Sequence, residues 1–230
     1  MDFTNTDLIS INNSRRTLLE VFRETNTQNT LTNIQDYDKF NINEVEAMAR
    51  NNQLDMLLTH RVGNLIEGHS IYVKYMLSKT TIRLQAIDVL VEELFEEEGI
   101  LKKTDTLIVV VNDEPNDSMK AKLRYLYDNQ GIFVIVQNIK RIQRNILKHK
   151  LVSKHTVVGT HKYNDGVGDN IISDIDRLKQ KYNLKNLNQL PEISRFDPVS
   201  QLIELRPGQV CKIDRKSVTS VESEYFRICV

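Results

Sequence analysis

Two continuous apolar runs constrain the fold of this chain more than any other feature. Residues 107–111 read LIVVV and residues 132–136 read IFVIV, and each run has the length of one strand. A strand that is apolar at every position is buried on both faces, as in a parallel sheet covered by helices. A helix-length segment joins the two runs and ends at Asn129-Gln130-Gly131. The pattern predicts a strand–helix–strand unit with parallel strands.

Hydrophobic periodicity predicts the other elements of the first 147 residues. Helices are expected at residues 5–24, 42–59, 80–98, 113–128 and 138–150, and a strand at 71–77. Thr6 or Asp7 is the expected cap of the first helix, and Gly99 the expected stop of the third. The inward positions of the first helix are Leu8, Ile11, Leu18, Leu19 and Phe22. Those of the third are Ile82, Ala86, Val89, Leu90 and Leu94. Those of the last are Ile139, Ile142, Ile146 and Leu147.

The pattern of apolar and polar residues changes after Leu147. Residues 151–158 are strand-like, and a Gly-containing loop at 161–170 precedes a helix that Asn170 would cap. The inward positions of that helix are Ile171, Ile175, Leu178 and Tyr182. Asp197-Pro198 predicts a short helix start and Pro207-Gly208 a type II turn. Two closing strands are expected at 209–216 and 224–230. We therefore predict two domains, 1–147 of α/β type and 148–230 of α+β type, with the boundary near 148–151.

Composition narrows the function. Lys plus Arg equals Asp plus Glu at 31 each, which argues against a free-standing nucleic-acid binder but not against one local basic patch. The two cysteines, Cys211 and Cys229, form no CxxC pair and suit a reducing compartment, as small buried groups. The start lacks a signal-peptide pattern, and no apolar stretch approaches the ~18 residues of a membrane span. A soluble, intracellular protein is expected.

The last 80 residues carry a set of short motifs in a fixed order. The set begins with LVSKH at 151–155. It continues with Leu190-Pro191, Asp197-Pro198-Val199, Pro207-Gly208, Val210, Lys212-Ile213, Arg215-Lys216-Ser217, Thr219, Tyr225 and Arg227. In this order and spacing the motifs resemble the C-terminal assembly domain of the fifth subunit of eukaryotic RNA polymerases and its shorter archaeal counterpart. Ser153 stands where that family usually has proline.

The first 150 residues resemble the same family more faintly. The segment GIFVIVQN at 131–138 is similar to the last strand of the N-terminal jaw domain of eukaryotic members, and ISINNSRRTLLEVF is similar to its first helix. The resemblance implies a three-layer α/β jaw domain related in fold to restriction endonucleases. Archaeal members lack this domain. A eukaryotic or viral-type member is therefore expected, located in the nucleus if cellular and in the host cytoplasm and virion if viral.

The resemblance implies a structural role without a cofactor or metal. In the family, the C-terminal domain docks on the largest polymerase subunit, the jaw lies beside downstream duplex DNA, and nucleotide addition takes place on other chains. The candidate subunit-interface residues are His155, Pro191, Asp197, Pro198, Gly208, Lys212, Arg215, Lys216, Ser217, Thr219, Tyr225 and Arg227. Arg215, Lys216 and Arg227 could pair with carboxylates of a partner subunit, or with Glu222 and Glu224 across the closing strands.

Two charged segments have alternative interpretations. The predicted helix NIKRIQRNILKHK carries Lys140, Arg141, Arg144, Lys148 and Lys150, and the first four are the candidates for contact with DNA phosphates. A solvated helix face or a contact with another subunit is the alternative. The acidic run at 92–98 is interpreted as a solvated helix end, and a surface for a basic partner is the second interpretation.

Two other classes of function remain as rivals. A metal-dependent nuclease needs an acidic residue on one strand and an acid-x-lysine on the next, but IFVIVQN has no acid and the only Asp-x-Lys is Asp214-Arg215-Lys216. No carboxylate cluster for two Mg²⁺ ions, P-loop or zinc-ligand spacing is present. The remaining rival is an adaptor that uses a polymerase-like tail to recruit a regulator.

Overall fold

The structure is a computed structural model that describes residues 4–25, 33–59, 61–62, 65–66, 69–77, 82–158, 162–164, 171–216 and 222–230. The chain divides into two compact units, Met1–Asn145 and Ile146–Val230. Each unit has its own four-stranded sheet. Both units mix helices with strands, so the mixed α and β composition expected from the sequence is present.

The first unit contains helices α1 to α4 and strands β1 to β6. The helices are α1 Asn5–Thr25, α2 Ile42–Arg50, α3 Leu84–Val91 and α4 Asp117–Tyr125. The strands are β1 Met56–Leu58, β2 Arg61–Val62, β3 Leu65–Ile66, β4 Ile71–Met76, β5 Thr106–Val111 and β6 Phe133–Asn138. Wider π-helical turns extend α3 through Glu92–Glu97 and α4 through Leu126–Gln130.

The main sheet of the first unit has the order β1-β4-β5-β6. Strand β1 is antiparallel to β4, while β4, β5 and β6 are mutually parallel, with Val109 opposite Val136. Every residue of β5 and β6 is buried. The prediction of parallel strands from the two apolar runs is therefore confirmed. Strands that are buried on both faces tolerate no polar alternation, which is why they appear in the sequence as unbroken apolar runs.

Helix α1 confirms the first predicted helix and its buried stripe, but its cap is different. Thr4 and Asp7 form a capping box: the Thr4 hydroxyl accepts from the Asp7 N–H at 3.3 Å, and the Asp7 carboxylate accepts from the Thr4 N–H at 3.1 Å. Arg15 is also buried, at 2% exposure, and donates to the Leu54 carbonyl. Desolvation by burial lowers the pKa of Arg15.

The predicted helix at 42–59 is too long. Helix α2 ends at Arg50, because Asn52 takes a positive φ of 55° that an α-helix cannot continue through. Leu54, Met56 and Leu58 are then buried at alternate positions, as a strand requires. Helical and strand periodicity overlap in this segment.

The inward face predicted for the third helix is partly wrong. Ile87 and Val91 are buried together with Leu90 and Leu94, but Val89 is 60% exposed. Apolar residues occupy most of the circumference of α3, so periodicity alone admits more than one inward face. The stop is confirmed, since Gly99 has a φ of 61°. Thr80 and Thr81 lie outside the described residues.

The predicted helix at 138–150, with its basic residues, is wrong. Strand β6 runs to Asn138, whose side chain accepts from the Lys140 N–H at 2.8 Å while its carbonyl accepts from the Arg141 N–H at 2.9 Å. These bonds close a turn at the point where a helix was expected. Ile139 and Ile142 are nevertheless buried, as predicted. One 3₁₀ turn follows at Ile146–Lys148.

The second unit contains helices α5 and α6 and strands β7 to β12. The helices are α5 Asp174–Lys181 and α6 Pro198–Leu202. The strands are β7 Lys154–Val158, β8 Lys162–Asn164, β9 Ile171–Ser173, β10 Glu192–Ile193, β11 Val210–Arg215 and β12 Ser223–Cys229. The predicted helix after Asn170 begins later, at Asp174, because residues 171–173 pair with β8 as a strand. Tyr182 is 44% exposed and not inward.

The closing hairpin is confirmed. Strands β11 and β12 are antiparallel, and the sheet order is β10-β12-β11-β7. Its core comprises Ile203, Leu205, Cys211 and Cys229. The prediction that both cysteines are buried is confirmed, and burial raises the pKa of each thiol to about 11, so both stay protonated near neutral pH. Among the described helices, none has the length and apolarity needed to cross a membrane.

Candidate functional site

The outer half of the closing hairpin carries a charged network. The Lys212 ammonium lies 2.7 Å from a Glu224 carboxylate oxygen on the neighbouring strand and 3.2 Å from Asp214. Lys181, at the end of α5, approaches Glu224 at 3.0 Å. Hydrogen bonds to Lys212 and then Lys181 lower the pKa of Glu224, and the bond to Glu224 raises the pKa of Lys212. Glu224 therefore links strand β12 to Lys212 on β11 and to Lys181 on α5.

An aromatic contact reinforces the same junction. The rings of Tyr182 and Phe226 lie 5.6 Å apart, centroid to centroid, with their planes at 58°. The pair is in the range of favourable aromatic contacts. The outer part of the hairpin is thus stabilised by side-chain pairs with α5, and the buried core lies nearer its other end.

Several residues predicted for the interface have roles inside the unit. Asp197 caps α6 by accepting from Val199 at 2.9 Å, with Pro198 at the first helical position. Gly208 has a φ of 83°, as the predicted turn requires. Arg227 donates to the Glu192 carbonyl at 3.0 Å, and the Pro191 carbonyl accepts from Ile228 at 2.9 Å. These residues therefore stabilise the second unit itself, independently of any contact with another molecule.

The groove beside the hairpin brings together other predicted residues. It has a volume of about 820 Å³ and lies between segment 147–154 and the outer ends of β11 and β12. Its lining includes Lys148, Lys212, Arg215 and Lys216 from the predicted sites. Among its described lining residues, six Lys and Arg side chains stand against three carboxylates, so this part of the groove is net positive.

Four of these cations are available for a partner. Within the described part of the chain, Lys150, Lys154, Arg215 and Lys216 make no ion pair, whereas Lys212 is held by Asp214 and Glu224. Cross-strand pairing inside this chain, one of the two alternatives for Arg215 and Lys216, is therefore not seen among the described residues. Leu151, at the same groove, is 85% exposed. An exposed leucine among unpaired cations is suited to an acidic protein surface that also offers an apolar contact.

Sequence reasoning missed part of this groove. Lys150, Leu151 and Lys154 were not among the predicted interface residues, although they lie in or beside the LVSKH motif. Only the pairing of β7 with β11, which sets Lys154 opposite Asp214, shows that this segment and the hairpin meet. No local sequence pattern reports such a long-range pairing.

The other interface candidates are dispersed. His155 is half-buried, and its Nδ1 lies 2.7 Å from the Ser153 carbonyl. Tyr225 is about half exposed on β12. Ser217 and Thr219 lie outside the described residues.

The DNA-contact candidates are divided between the two units. Lys140 and Arg144 are exposed in the first unit. Arg141 is engaged in two contacts with Glu114, each of 2.8 Å, and is therefore partly neutralised. Lys148 belongs to the second unit and lines the groove. The four residues do not form one helix face. Among the described residues, no group of three or more His, Cys, Asp or Glu side chains is placed to hold a metal ion.

The second unit is thus a small α+β module with a charged hairpin and a cationic groove, and comparison with known proteins assigns it to a family. Residues 170–229 match the model of the family described as RNA polymerase Rpb5, C-terminal domain. DNA-directed RNA polymerase subunit Rpo5 of Methanococcus maripaludis strain C7 is 41% identical over 81 residues, which cover 34% of this chain and 92% of that protein. Rpo5 of Staphylothermus marinus is 35% identical over 92 residues, which cover 40% of this chain and 87% of that protein.

A third relative agrees with these two. Rpo5 of Methanothermobacter thermautotrophicus is 31% identical over 87 residues, 38% of this chain and 96% of that protein. The chain belongs to the Rpb5 family of DNA-directed RNA polymerase subunits, as the sequence motifs predicted. The archaeal relatives are matched over nearly their whole length, while more than half of this chain lies outside the match.

Proposed function

We propose that this chain is a non-catalytic structural subunit of a multisubunit DNA-directed RNA polymerase. Its second unit docks on the largest subunit, and its first unit lies near downstream DNA during transcription. The observation that carries the proposal is the match with archaeal Rpo5, of which this chain covers 92% at 41% identity. Because the match includes nearly all of archaeal Rpo5, we assign the role of that protein as a polymerase subunit to the matched part of this chain.

The cationic groove supports docking through the second unit. Lys150, Lys154, Arg215 and Lys216 present unpaired charge beside the exposed Leu151. Charged rims steer association and set specificity, whereas a desolvated apolar anchor supplies affinity. We therefore propose that an acidic surface of the largest subunit covers this groove.

The test is purification of the polymerase from the native source through an affinity tag on this chain, with stoichiometry measured by mass spectrometry. One copy per pair of large subunits is expected. The variants Leu151→Asp and Arg215→Glu/Lys216→Glu should each lower recovery of the largest subunit at least tenfold, by loss of apolar contact and of charge complementarity. Recovery of this chain alone, or only with unrelated partners, would contradict the proposal.

A matched control separates docking from general charge effects. Lys102→Glu/Lys103→Glu makes the same charge change at two adjacent exposed lysines of the first unit and should leave recovery unchanged. Equal loss from the control and the groove variant would show that net charge, and not this groove, governs assembly.

Contact with downstream DNA is the second part of the proposal. Lys140 and Arg144 are the exposed cations available for it, since Arg141 is paired with Glu114. Reversing both charges in the assembled polymerase should weaken DNA binding and reduce the slope of log affinity against log salt by about 1 to 2. An unchanged slope would exclude phosphate contact by these residues.

We also propose that the first unit is a jaw domain with the restriction-endonuclease-like layering. The parallel set β4-β5-β6 joined through α3 and α4 supports this assignment. An experimental structure with a different strand order from solved jaw domains would contradict it. The subunit is proposed to reside with its polymerase, in the nucleus of a cellular host or, for a virus, in the host cytoplasm and virion.

A further inference from the structure

An apolar pocket lies on the first unit, and none of its described lining residues belongs to the proposed docking groove or to the proposed DNA contact. It has a volume of about 340 Å³, and its lining residues are Met76, Ile82, Arg83, Gln85, Ala86, Val89 and Leu90. That volume is at the lower end of the roughly 300–1,000 Å³ of small-molecule sites, so the pocket has room for one or two side chains better than for a cofactor.

Helix α3 is apolar on two faces. Ile87 and Val91 point into the core of the unit, while Ala86 and Val89 line the pocket together with Ile82, which precedes the helix. The sequence predicted Val89 to be inward, yet it is 60% exposed. A large exposed apolar side chain on the rim of an apolar pocket is typical of an interaction surface.

The charges next to the pocket indicate what could occupy it. Glu92, Glu93 and Glu96 follow the lining residue Val89 along the chain and belong to the π-helical extension of α3, directly after the pocket-lining part of the helix. Among the described residues, none of the glutamates in the run at 92–98 makes an ion pair. After burial and Asp55, Glu98 and Glu93 also raise the pKa of Tyr72, which reflects the negative field of the run.

We propose that this pocket and the adjoining glutamates form a docking site for a short basic amphipathic segment of a partner protein. One apolar side chain of the segment enters the pocket, and its lysines or arginines meet Glu92, Glu93 and Glu96. Val89 and Glu96 are seven residues apart, which is at most about 10 Å along the helix, since the π-helical turns at 92–97 rise less per residue than an α-helix. The partner segment needs the same spacing, two turns of helix or about three residues of extended chain.

Other occupants are disfavoured by the same charges. Nucleic acids and anionic lipid surfaces are negative and would be repelled by the run of carboxylates. Arg83 lies at the opposite end of the pocket from the glutamates, so it fixes the direction of the segment, with the basic end toward Glu96. The site shares no residue with the groove of the second unit, and its test does not depend on assembly into a polymerase.

The probe is a pair of synthetic 16-residue amphipathic peptides with the same leucine face. One carries lysines in its C-terminal half and the other carries glutamates. Binding to the full chain is measured by fluorescence anisotropy, with the contact mapped by ¹⁵N chemical shifts. The lysine peptide should bind with a Kd of about 10 µM to 1 mM, as for a weak transient contact, and the glutamate peptide at least tenfold more weakly.

Variants test whether the lysine peptide binds at the pocket and the adjoining glutamates. Val89→Asp and Glu92→Lys/Glu96→Lys should each weaken the lysine peptide at least tenfold, and the second should also abolish the salt dependence of binding. Leu84→Asp, on the same helix but outside the pocket lining, is the apolar control, and Asp36→Lys/Glu46→Lys is the charge control. Both controls should bind as the unchanged chain does.

Three results would overturn the proposal. Equal binding of the two peptides would mean that the carboxylates do not select the partner. Binding that survives both site variants would place the contact elsewhere. Self-association of the chain that Val89→Asp abolishes, measured by sedimentation, would make a second copy the occupant. Thermal unfolding verifies each variant, and Val89→Ser replaces the aspartate variant if that one does not fold.

Discussion

The two four-stranded sheets of this protein differ in how much of each strand is buried. In the first unit, β5 and β6 are buried at all six positions. In the second unit, β11 and β12 are buried only at Val210, Cys211, Ile228 and Cys229, and their other ends are half-buried or exposed. The first sheet therefore completes its own core, whereas the second keeps half of its hairpin available for contact with another molecule.

The second sheet has one end that stabilises the fold and another end that is exposed for contact with another molecule. The buried end of the second sheet holds the unit together through apolar contacts, and the exposed end carries the Lys212–Glu224 network and the cationic groove. A strand cannot serve both purposes at one position, since a buried charge without a partner is costly. The division of the hairpin into an apolar and a charged half follows from this physical conflict.

The largest expected effect compares the two cores directly. Leu107→Ala removes a fully buried side chain from β5 and should lower the free energy of unfolding by about 2–5 kcal/mol. Phe226→Ala, in the half-buried outer hairpin, should cost about 1 kcal/mol, mainly from the contact with Tyr182. Urea denaturation measures both. Equal costs would show that the outer hairpin is as well packed as the first core.

Hydrogen exchange sharpens the same contrast without a mutation. Amides in the middle of β5 and β6 should exchange only through global opening of the first unit, because no part of these strands is exposed. Amides at the outer ends of β11 and β12 should exchange about 100-fold faster through local opening. Uniform protection along the hairpin would contradict this expectation.

Removing a helix cap should lower the free energy of unfolding by the same amount in both units. Asn116 caps α4 by accepting from Met119 at 2.8 Å, and Asp197 caps α6 by accepting from Val199 at 2.9 Å. Asn116→Ala and Asp197→Ala should each lower the free energy of unfolding by about 1 kcal/mol. Thermal unfolding of each variant measures the loss, and Asp197→Asn serves as the control that keeps the cap. A much larger loss for Asp197 would mean that α6 also supports the sheet edge.

The smallest expected effect concerns pH. The pKa of Glu224 is lowered from its ordinary value of 4.5 by Lys212 and Lys181. A lowered pKa in the folded state stabilises the second unit above about pH 4.5, and the gain is lost as pH falls through the folded pKa. Because the group is exposed, the effect should stay below about 0.5 kcal/mol. Glu224→Gln should remove this pH dependence between pH 3 and 6, and 1 M salt should reduce it in the unchanged chain.

The sequence predicted the parts of the fold whose signals are local. The apolar runs of β5 and β6, the caps and turns at Asp197 and Gly208, and the buried stripe of α1 were all confirmed. Each rests on a residue type whose conformation or burial is nearly fixed by chemistry. Among the C-terminal family motifs, Asp197-Pro198 and Pro207-Gly208 are of the same kind.

The failures occurred where two patterns compete in one segment. Residues 54–58 fit both helix and strand spacing, and the basic segment after Asn138 had helical periodicity but begins with a turn closed by its own Asn side chain. No sequence pattern predicted that Arg15 is buried, because the Leu54 carbonyl that accepts its hydrogen bond is distant in sequence. The groove of the second unit was only partly predicted, because long-range strand pairing brings its two sides together.

Strand β12 has a consequence for how the protein is made. It is synthesised after every other strand of its sheet, yet it lies between β10 and β11. A chain that stops before Ser223 leaves β10 without its described neighbour and β11 with β7 alone. The hairpin and one side of the groove thus come into existence only when the ribosome has passed this strand. Under the proposed docking through the groove, a chain truncated before this strand would lack one side of its docking surface and would not be incorporated into a polymerase.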